Sequence, residues 1–412
     1  MKNLLLSKRS DLEKLYPIVQ SLPVPFRSLL EKGLAFYMEK RQGRQLIPDR
    51  VTLLLTDQCN LECPHCFISN EEHPRNWEMG LPEYEKLFKS SMGQIGQLVV
   101  SGGEPILKEN FVEIIQVAEK LGHVKSILLC TNGVLPDNLN KKMEDLLQTT
   151  SIVFRIQTSI DGSEEVHDKN RGGKGSYRKV FESLDLMNNL RKKYPGRIGA
   201  LHVNTTLSKV NIEGLAKVIM DVKKFGFIQT FGFVRSPREH IFNLKDPSLI
   251  SDYTPVSFDD FLKVEDMEIA LDIINRNLWA NNPESLIYAV NRVTLYSIKE
   301  MVKTGSPATS CRSGRSELII MPNGEVAKCE MLKGFAKLQD FNWDLSKLLS
   351  SAICREFFEA TSQCFCTHEC SVALNIMYDS SLLGLLFSPE ADLKIDQRHN
   401  DSKEQLPAEL SY

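Results

Sequence analysis

The stretch that decides the fold is Val51-Thr-Leu-Leu-Leu-Thr-Asp-Gln-Cys59-Asn-Leu-Glu-Cys63-Pro-His-Cys66. Residues 51–56 are a short apolar run rich in strand-forming residues, which predicts a buried β-strand. The three cysteines follow in the loop directly behind that strand, with C-x3-C-x2-C spacing. Thiols this close in sequence can converge on one centre, as a metal ion or an iron–sulfur cluster requires.

Outward from this stretch, strand-like and helix-like segments alternate about six times over residues 51–234. One predicted helix covers 110–122 and is closed by Gly122, and another runs from about Asp137 to Leu147. This alternation predicts an α/β fold with a parallel sheet. Six such units closing partway round predict a partial (β/α)6 barrel, similar to a TIM barrel, with its chemistry at the carboxyl ends of the strands. The predicted strands are 51–56, 97–101, 126–131, 151–160, 198–206 and 227–234.

The rest of the chain is predicted to add four regions around the barrel of residues 51–234. A hairpin is expected near the start of the cysteine-bearing region, because Pro322-Asn323-Gly324 separates two strand-like runs. The four regions are an N-terminal helical extension (1–50), a helical bridge that caps the barrel mouth (235–310), a small cysteine-rich domain (311–388) and a polar tail (389–412).

Composition narrows the class of protein further. The 412 residues are 42% hydrophobic and 25% charged, as in ordinary globular proteins, and the formal net charge is −3. A chain without a basic excess is not expected to bind nucleic acid. No apolar run reaches the ~20 residues of a membrane span, and the leading Leu4-Leu5-Leu6 is too short for a signal peptide. We therefore expect a cytoplasmic protein whose ten cysteines serve metal binding or catalysis and not disulfides.

Two kinds of centre remain open for the first three cysteines. Three thiolates would leave one iron of a [4Fe–4S] cluster free for a small molecule. A structural zinc site would instead need a fourth ligand, which His65 or His73 could supply. The next predicted strand ends in Ser101-Gly102-Gly103-Glu104, whose glycines allow close backbone approach to a ligand and whose carboxylate could receive an ammonium group.

With both motifs in place, residues 51–234 resemble the radical S-adenosylmethionine (radical SAM) enzymes. The resemblance implies a [4Fe–4S] cluster on Cys59, Cys63 and Cys66, with SAM bound to the fourth iron through its amino and carboxylate groups. It also implies an electron donor such as flavodoxin or ferredoxin, cleavage of SAM to a 5′-deoxyadenosyl radical, and abstraction of a substrate hydrogen. His65 stands where the family often has an aromatic residue, and with Phe67 it is expected beside the cofactor.

Further motifs extend the resemblance to members with a cysteine-rich C-terminal extension. These motifs are Ser159-x-Asp161-Gly, His167-Asp-x-x-Arg171-Gly and Gly175-Ser-Tyr177. Ser159 and Arg171 are implied to hold the SAM carboxylate, since a guanidinium grips a carboxylate with two bonds. Asn204 and Thr206 are equally well explained as strand-end caps. The implied SAM contacts are His65, Phe67, Ser101, Gly102, Gly103, Glu104, Asn132, Ser159, Arg171, Asn204 and Thr206.

The second cysteine group resembles the SPASM/twitch extension of these enzymes. Its first half, Cys311-x12-Gly324-x4-Cys329, fits that pattern, whereas the second half has fewer cysteines than a full SPASM domain. Five cysteines can ligate one auxiliary [4Fe–4S] cluster with one to spare. Of these five, Cys311, Cys329 and Cys370 are the preferred ligands, and Cys364 or Cys366 completes the set. A zinc knuckle that includes His368 is the alternative, and Cys130 and Cys354 are expected in the core.

The substrate is the least determined part of the prediction. Modification of a peptide or protein side chain by crosslinking, epimerisation or oxidation is the first hypothesis. A radical epimerase or dehydrogenase acting on a sugar, aminoglycoside or other small metabolite is the second, and a non-catalytic iron–sulfur or zinc scaffold the third. Candidate substrate contacts in the helical bridge are Arg235, Arg238, His240, Tyr253 and Tyr288.

Overall fold

The computed structural model describes residues 16–22, 46–66, 77–235, 240–251 and 261–387, together with residues 30, 33 and 68. Most of the predicted N-terminal extension and the predicted tail therefore lie outside the described residues. Four single residues named above also lie outside them: Phe67, His73, Arg238 and Tyr253.

A mostly parallel sheet forms the centre of the protein. Its strands, with a separate short pair, are β1 (Arg50–Leu54), β2 (Gln97–Ser101), β3 (Ser126–Cys130), β4 (Val153–Ser159), β5 (Ile198–Leu207), β6 (Ile228–Phe233), β7 (Ile241–Phe242), β8 (Glu317–Ile320), β9 (Glu325–Ala327), β10 (Ala336–Lys337) and β11 (Phe365–Cys366). The nine-stranded sheet has the order β10-β9-β8-β1-β2-β3-β4-β5-β6, and β7 pairs with β11. Neighbouring strands from β1 to β6 are all parallel, which confirms the predicted α/β fold with a parallel sheet.

Helices connect the parallel strands and form the bridge that follows them. They are α1 (Leu81–Ser90), α2 (Phe111–Gly122), α3 (Pro136–Thr149), α4 (Glu164–Asn170), α5 (Ser176–Lys193), α6 (Leu215–Lys224), α7 (Val264–Asn277), α8 (Leu286–Thr304), α9 (Leu345–Leu349), α10 (Ala352–Ala360), α11 (Glu369–Ile376) and α12 (Ser380–Leu383). The predicted end of α2 is confirmed at Gly122, but the left-handed residue that closes it is His123, with φ of 54°. Within the described residues, no helix is both long and apolar enough to cross a membrane.

The two faces of the parallel sheet differ in character. On β4, Phe154 and Ile156 belong to the main apolar core with the surrounding helices. Because side chains alternate along a strand, the intervening Arg155, Gln157 and Ser159 face the opposite side. At β4 the helices thus cover the apolar side, and polar side chains line the other side, where the predicted barrel interior lies.

The cysteine-rich region begins by extending the same sheet. Strand β8 pairs in parallel with β1, with Val51 opposite Leu318. Strand β9 then returns antiparallel to β8, which confirms the predicted hairpin, and Gly324 takes a φ of 79° at its turn. The second cysteine group is therefore attached to the barrel by strand pairing, not by a free linker.

Candidate functional site

The first three cysteines lie on one loop after β1. The Cys66 backbone N–H donates to the Cys63 carbonyl at 3.0 Å, and the Ile68 N–H donates to the Cys66 sulfur at 3.4 Å. Burial is the largest cause that raises the pKa of each of the three thiols, and each pKa is raised further by the charge of another of the three. The three sulfurs therefore lie within electrostatic range of one another, as their sequence spacing predicts.

The glycine pair after β2 lies against the backbone of this cysteine loop. Gly102 has a φ of +136°, and a Cβ there would lie 2.4 Å from the Thr56 carbonyl oxygen. A Cβ on Gly103 would lie 2.3 Å from the Gln58 carbonyl oxygen. The Gly103 N–H donates to the Thr56 carbonyl at 2.8 Å. The close approach predicted for these glycines is thus made to the protein's own cysteine loop.

Replacing Gly103 with alanine should displace the cysteine loop. The added Cβ meets backbone atoms, which cannot rotate away, so the free energy of unfolding should fall by about 1–3 kcal/mol. Urea unfolding measures this loss, and iron content after anaerobic reconstitution measures the effect on the loop. Gly214→Ala is the matched control, because its Cβ would meet nothing within 4 Å. Equal stability of the two variants would contradict the proposed contact.

Glu104 joins the loops that follow β2 and β3. Its carboxylate is fully buried and accepts hydrogen bonds from the Thr131 hydroxyl at 2.8 Å and the Asn132 N–H at 2.7 Å. Burial raises the pKa of Glu104 to about 7, although these hydrogen bonds oppose the shift. The Asn132 side chain in turn donates to Asn60 at 2.9 Å and lies 3.7 Å from the Cys59 sulfur. The ammonium contact predicted for Glu104 stays a prediction, and the structure adds this anchoring role.

Arg171 reaches the cysteine loop from the end of α4. Its Nη1 lies 3.9 Å from the Cys63 sulfur, and its Nε donates to the Asp161 carboxylate at 2.6 Å. Asp161 is completely buried and also accepts a hydrogen bond from the Thr206 N–H at 2.9 Å. Burial alone would raise the pKa of Asp161, but Arg171 and His65 outweigh it and hold the pKa below its usual value.

Asp161 is a functional candidate that the sequence analysis did not select. The signal was present, because Asp161 stands in the Ser159-x-Asp161-Gly motif at the end of β4. A carboxylate there could have been recognised as a partner for Arg171, but their approach depends on the turn between them. His65 also belongs to this group, since its Nε2 lies 3.6 Å from the Asp161 carboxylate.

The remaining predicted SAM contacts lie at or near the carboxyl ends of neighbouring strands. Ser101 ends β2, Ser159 ends β4, and Asn204 lies beside Ser159 on β5. Asn204 accepts a hydrogen bond from the Thr230 hydroxyl at 3.1 Å. A cavity of about 370 Å³ opens beside this edge and is lined by Pro64, His65, Val166, Lys169, Asn170, Ser208, Val210 and Val234. The SAM contacts themselves stay predictions.

Four of the five cysteines predicted for the auxiliary cluster form a second group. Cys329 and Cys364 pack together in a small buried cluster, with Cys366 against it. The hydrogen bond with Cys364 is the main cause that lowers the pKa of Cys311 to about 6. The charges of Cys311 and Cys329 both act on Cys366. Among the residues that the structure describes, no three His, Cys, Asp or Glu side chains are arranged to hold a single metal ion.

Cys370, expected to be one of the preferred ligands, has other electrostatic partners than these four cysteines, and its role as a ligand stays a prediction. Its electrostatic partners are Arg50 and Cys130, and it forms a hydrogen bond with His368. Cys370 is the second residue of α11, whereas Cys366 is the last residue of β11.

Cys130 was expected in the core, but it is only partly buried at the end of β3 and lies outside the hydrophobic cluster that holds Ile127 and Leu129. Burial, and then the charge of Cys370, raise its pKa to about 12. Cys354 is buried in the main core as predicted.

A charged network connects the barrel to the second cysteine group. Arg235, just after β6, donates to the Glu330 carboxylate at 2.6 Å and to Glu369 at 3.2 Å. His368 lies 3.1 Å from the same Glu330 oxygen. Glu330 follows Cys329 directly, and His368 and Glu369 stand between Cys366 and Cys370. Arg235 was predicted as a substrate contact, and in the structure its guanidinium donates hydrogen bonds to Glu330 and Glu369.

Comparison with known proteins agrees with this geometry. Residues 53–219 match the family model described as the radical SAM superfamily. The chain is 29% identical over 193 residues to the AdoMet-dependent heme synthase of Methanosarcina barkeri, covering 46% of this chain and 51% of that protein. It is 31% identical over 167 residues to the GTP 3′,8-cyclase of Clostridium perfringens, covering 38% and 48%. The chain thus spans about half the length of the curated relatives it matches.

Solved structures share the fold across most of the chain. The structure of anSMEcpe with bound AdoMet superposes with a TM-score of 0.55 at 18% identity, covering 86% of this chain and 99% of that one. Streptococcus suis SuiB bound to S-adenosylmethionine gives a TM-score of 0.52 at 13% identity, covering 86% and 78%. The sheet and the cysteine loop after its first strand define a radical SAM domain. Residues 53–219 thus match the radical SAM superfamily, and the rest of the chain lies outside that match.

Proposed function

We propose that this protein binds a [4Fe–4S] cluster on Cys59, Cys63 and Cys66 and uses it with SAM in radical catalysis. The observation that carries the proposal is the cysteine loop itself. Gly102 and Gly103 pack closely against the backbone of this loop. Asn132 and Arg171 direct N–H groups toward the Cys59 and Cys63 sulfurs, at 3.7 and 3.9 Å. Hydrogen bonds to ligand sulfurs stabilise the negative charge of such clusters.

The chain's own residues would position SAM and exclude water. When bound, the cluster and SAM supply a 5′-deoxyadenosyl radical that abstracts a hydrogen atom from the substrate. Asp161 orients Arg171, whose guanidinium is the proposed partner of the SAM carboxylate. The cavity of about 370 Å³ beside His65 is the proposed space for the adenosine. Ser101, Glu104, Ser159, Asn204 and Thr206 are the further proposed SAM contacts.

We propose a second, auxiliary [4Fe–4S] cluster on Cys311, Cys329, Cys364 and Cys366. The packing of these cysteines in one group supports this set. Four thiolates satisfy all four irons, so this centre would be closed to small molecules. Its proposed partners are the first cluster and an external one-electron donor of the flavodoxin or ferredoxin class.

Serine replacements at Cys366 and Cys370 should show which of these two thiols is a ligand of the auxiliary cluster. Cys366→Ser should lower the iron content from about eight to about four per chain, since a [4Fe–4S] cluster is lost with its ligand. Cys370→Ser should keep about eight, because its thiol lies beside Arg50 and Cys130. Iron and acid-labile sulfide counting after anaerobic reconstitution measures both. Loss of iron in Cys370→Ser would restore the ligand set favoured by sequence.

For the substrate, we propose a peptide or protein side chain that is crosslinked, epimerised or oxidised. Two structures that share this fold contain peptides: SuiB bound to the precursor peptide SuiA, with a TM-score of 0.53, and anSMEcpe with the Cp18Cys peptide, with a TM-score of 0.54. Both cover more than four fifths of this chain, including its C-terminal part. The polar sheet face and the bridge helices α7 and α8 provide the surface for such a peptide.

A small-metabolite substrate is the second candidate. It is favoured by the curated relatives, one of which is named for its action on GTP. Those alignments cover 46% and 38% of this chain. A radical epimerase or dehydrogenase acting on a sugar or aminoglycoside belongs to this second class.

One assay tests the chemistry and separates the two substrate classes. Reconstituted protein is incubated anaerobically with dithionite and SAM, and 5′-deoxyadenosine is quantified with and without candidate substrates. Peptides encoded by neighbouring reading frames should stimulate its formation and change in mass. Stimulation only by sugars or aminoglycosides would favour the second candidate. No 5′-deoxyadenosine in any mixture, with the cluster present, would contradict the proposed chemistry.

A further inference from the structure

Lys328 is a buried cation at the edge of the second cysteine group. It stands between β9 and Cys329, and only 4% of it is exposed. Its ammonium donates to the Thr361 carbonyl at 2.8 Å and to the Thr361 hydroxyl at 3.2 Å. No carboxylate among the described residues forms an ion pair with it. A buried charge without an opposite charge is costly, so this position calls for a counter-charge.

The Thr361 carbonyl oxygen connects the ammonium to a thiol. The same oxygen that accepts from Lys328 at 2.8 Å accepts a hydrogen bond from the Cys364 sulfur at 3.1 Å. Lys328 also interacts electrostatically with the Cys311, Cys329 and Cys364 thiols. A Cys364 thiolate bound to iron has no proton to donate to Thr361, and the ammonium then supplies it with an opposite charge. The adjacent Cys329 brings a second thiol to the same cation.

Another buried lysine of this chain shows the usual arrangement. Lys299 is 6% exposed, and two carboxylates accompany it, Glu300 at 3.3 Å and Glu268 at 3.7 Å. Where Lys299 has carboxylates, Lys328 has the hydroxyl and carbonyl oxygens of Thr361 and the nearby thiols. The thiols supply negative charge only when they are deprotonated, as ligation to iron requires.

We propose that Lys328 is the fixed counter-charge of the auxiliary cluster on Cys311, Cys329, Cys364 and Cys366, and that it makes this cluster easier to reduce. The inference rests on the proposed auxiliary cluster. Reduction adds one electron, delivered by dithionite or a ferredoxin-type donor, to an already anionic cluster, and no bond is broken. A positive charge held in a low-dielectric site favours the more negative, reduced state.

Redox titrations monitored by EPR test the role of this charge. Lys328→Gln keeps a hydrogen-bond donor for Thr361 and removes the charge, whereas Lys328→Arg keeps the charge. Lys337→Gln removes a charge from an exposed site on β10, the strand that pairs with β9. Lys328→Gln should lower the ratio of reduced to oxidised auxiliary cluster at least tenfold at a fixed potential, which is about 59 mV for one electron. Lys328→Arg and Lys337→Gln should titrate like the unmodified protein, as should the barrel cluster in every variant.

The outcomes distinguish this inference from the function on which it rests. If Lys328→Gln holds two clusters and its auxiliary cluster titrates like that of Lys337→Gln, the counter-charge role is wrong and the auxiliary cluster stands. If the unmodified protein binds only about four irons, the auxiliary cluster itself is wrong. If Lys328→Gln folds, by circular dichroism, but loses the auxiliary cluster that Lys328→Arg keeps, the charge is needed for assembly, which supports the inference.

Discussion

Replacing Cys59, Cys63 and Cys66 together with alanine should abolish the formation of 5′-deoxyadenosine. The three thiols are the proposed protein ligands of the barrel cluster, and without that cluster no electron reaches SAM. Iron should fall from about eight to about four per chain, because the auxiliary cluster has its own four ligands. Anaerobic reconstitution, iron counting and chromatography of the SAM products measure these losses.

The control for this triple variant is a cysteine outside both groups. Cys354→Ala removes a thiol that is 3% exposed in the main core, where it packs as a small apolar side chain. It should keep both clusters and the SAM cleavage of the unmodified protein. SAM cleavage that persists in the triple variant would contradict the assignment of the cluster to this loop.

The second large effect is expected from Asp161→Asn. This change leaves the buried Arg171 guanidinium without its carboxylate partner, and removing one partner of a buried ion pair costs about 3–5 kcal/mol. The carboxylate also accepts the Thr206 N–H, so the ends of β4 and β5 should loosen together. The free energy of unfolding, from urea titration, should fall by that amount, and SAM binding should weaken because Arg171 loses its orientation.

Acid pH should reduce the difference in the free energy of unfolding between the unmodified protein and Asp161→Asn. The folded pKa of Asp161 is lowered, so its contribution to stability is complete above the ordinary value of 3.8 and is lost as pH falls through the folded pKa. Asp221→Asn is the matched control, since Asp221 pairs with two largely exposed lysines. Such exposed pairs contribute about 1 kcal/mol or less. Equal losses in the two variants would contradict a special role for Asp161.

Local sequence patterns predicted the features that depend on neighbouring residues. The alternation of strands and helices over 51–234 depends on side-chain periodicity, which can be read directly from the chain. The cysteine loop and the hairpin at Gly324 each lie within a few residues, so spacing and turn preference were sufficient for them. The burial of Cys354 followed from the usual behaviour of a free cysteine as a small apolar side chain.

Features that join distant segments could not be predicted in this way. Sequence favoured Cys370 as a ligand over Cys364 and Cys366, whereas the fold gathers those two with Cys311 and Cys329. The pairing of β8 with β1, which attaches the second cysteine group to the barrel, joins residues far apart in the chain.

The candidate site likewise combines features that local sequence predicts with features that depend on distant segments. The residue types and their spacing specify the chemistry that the protein can support, because three thiols on one loop and a glycine pair suit an iron–sulfur cluster wherever the loop lies. The partners of those residues depend on packing: Asp161 against Arg171, Gly103 against Gln58 and Lys328 against Cys364. Each of these contacts forms only when separate segments are brought together and water is excluded from between them, and single-segment patterns carry no information about that step.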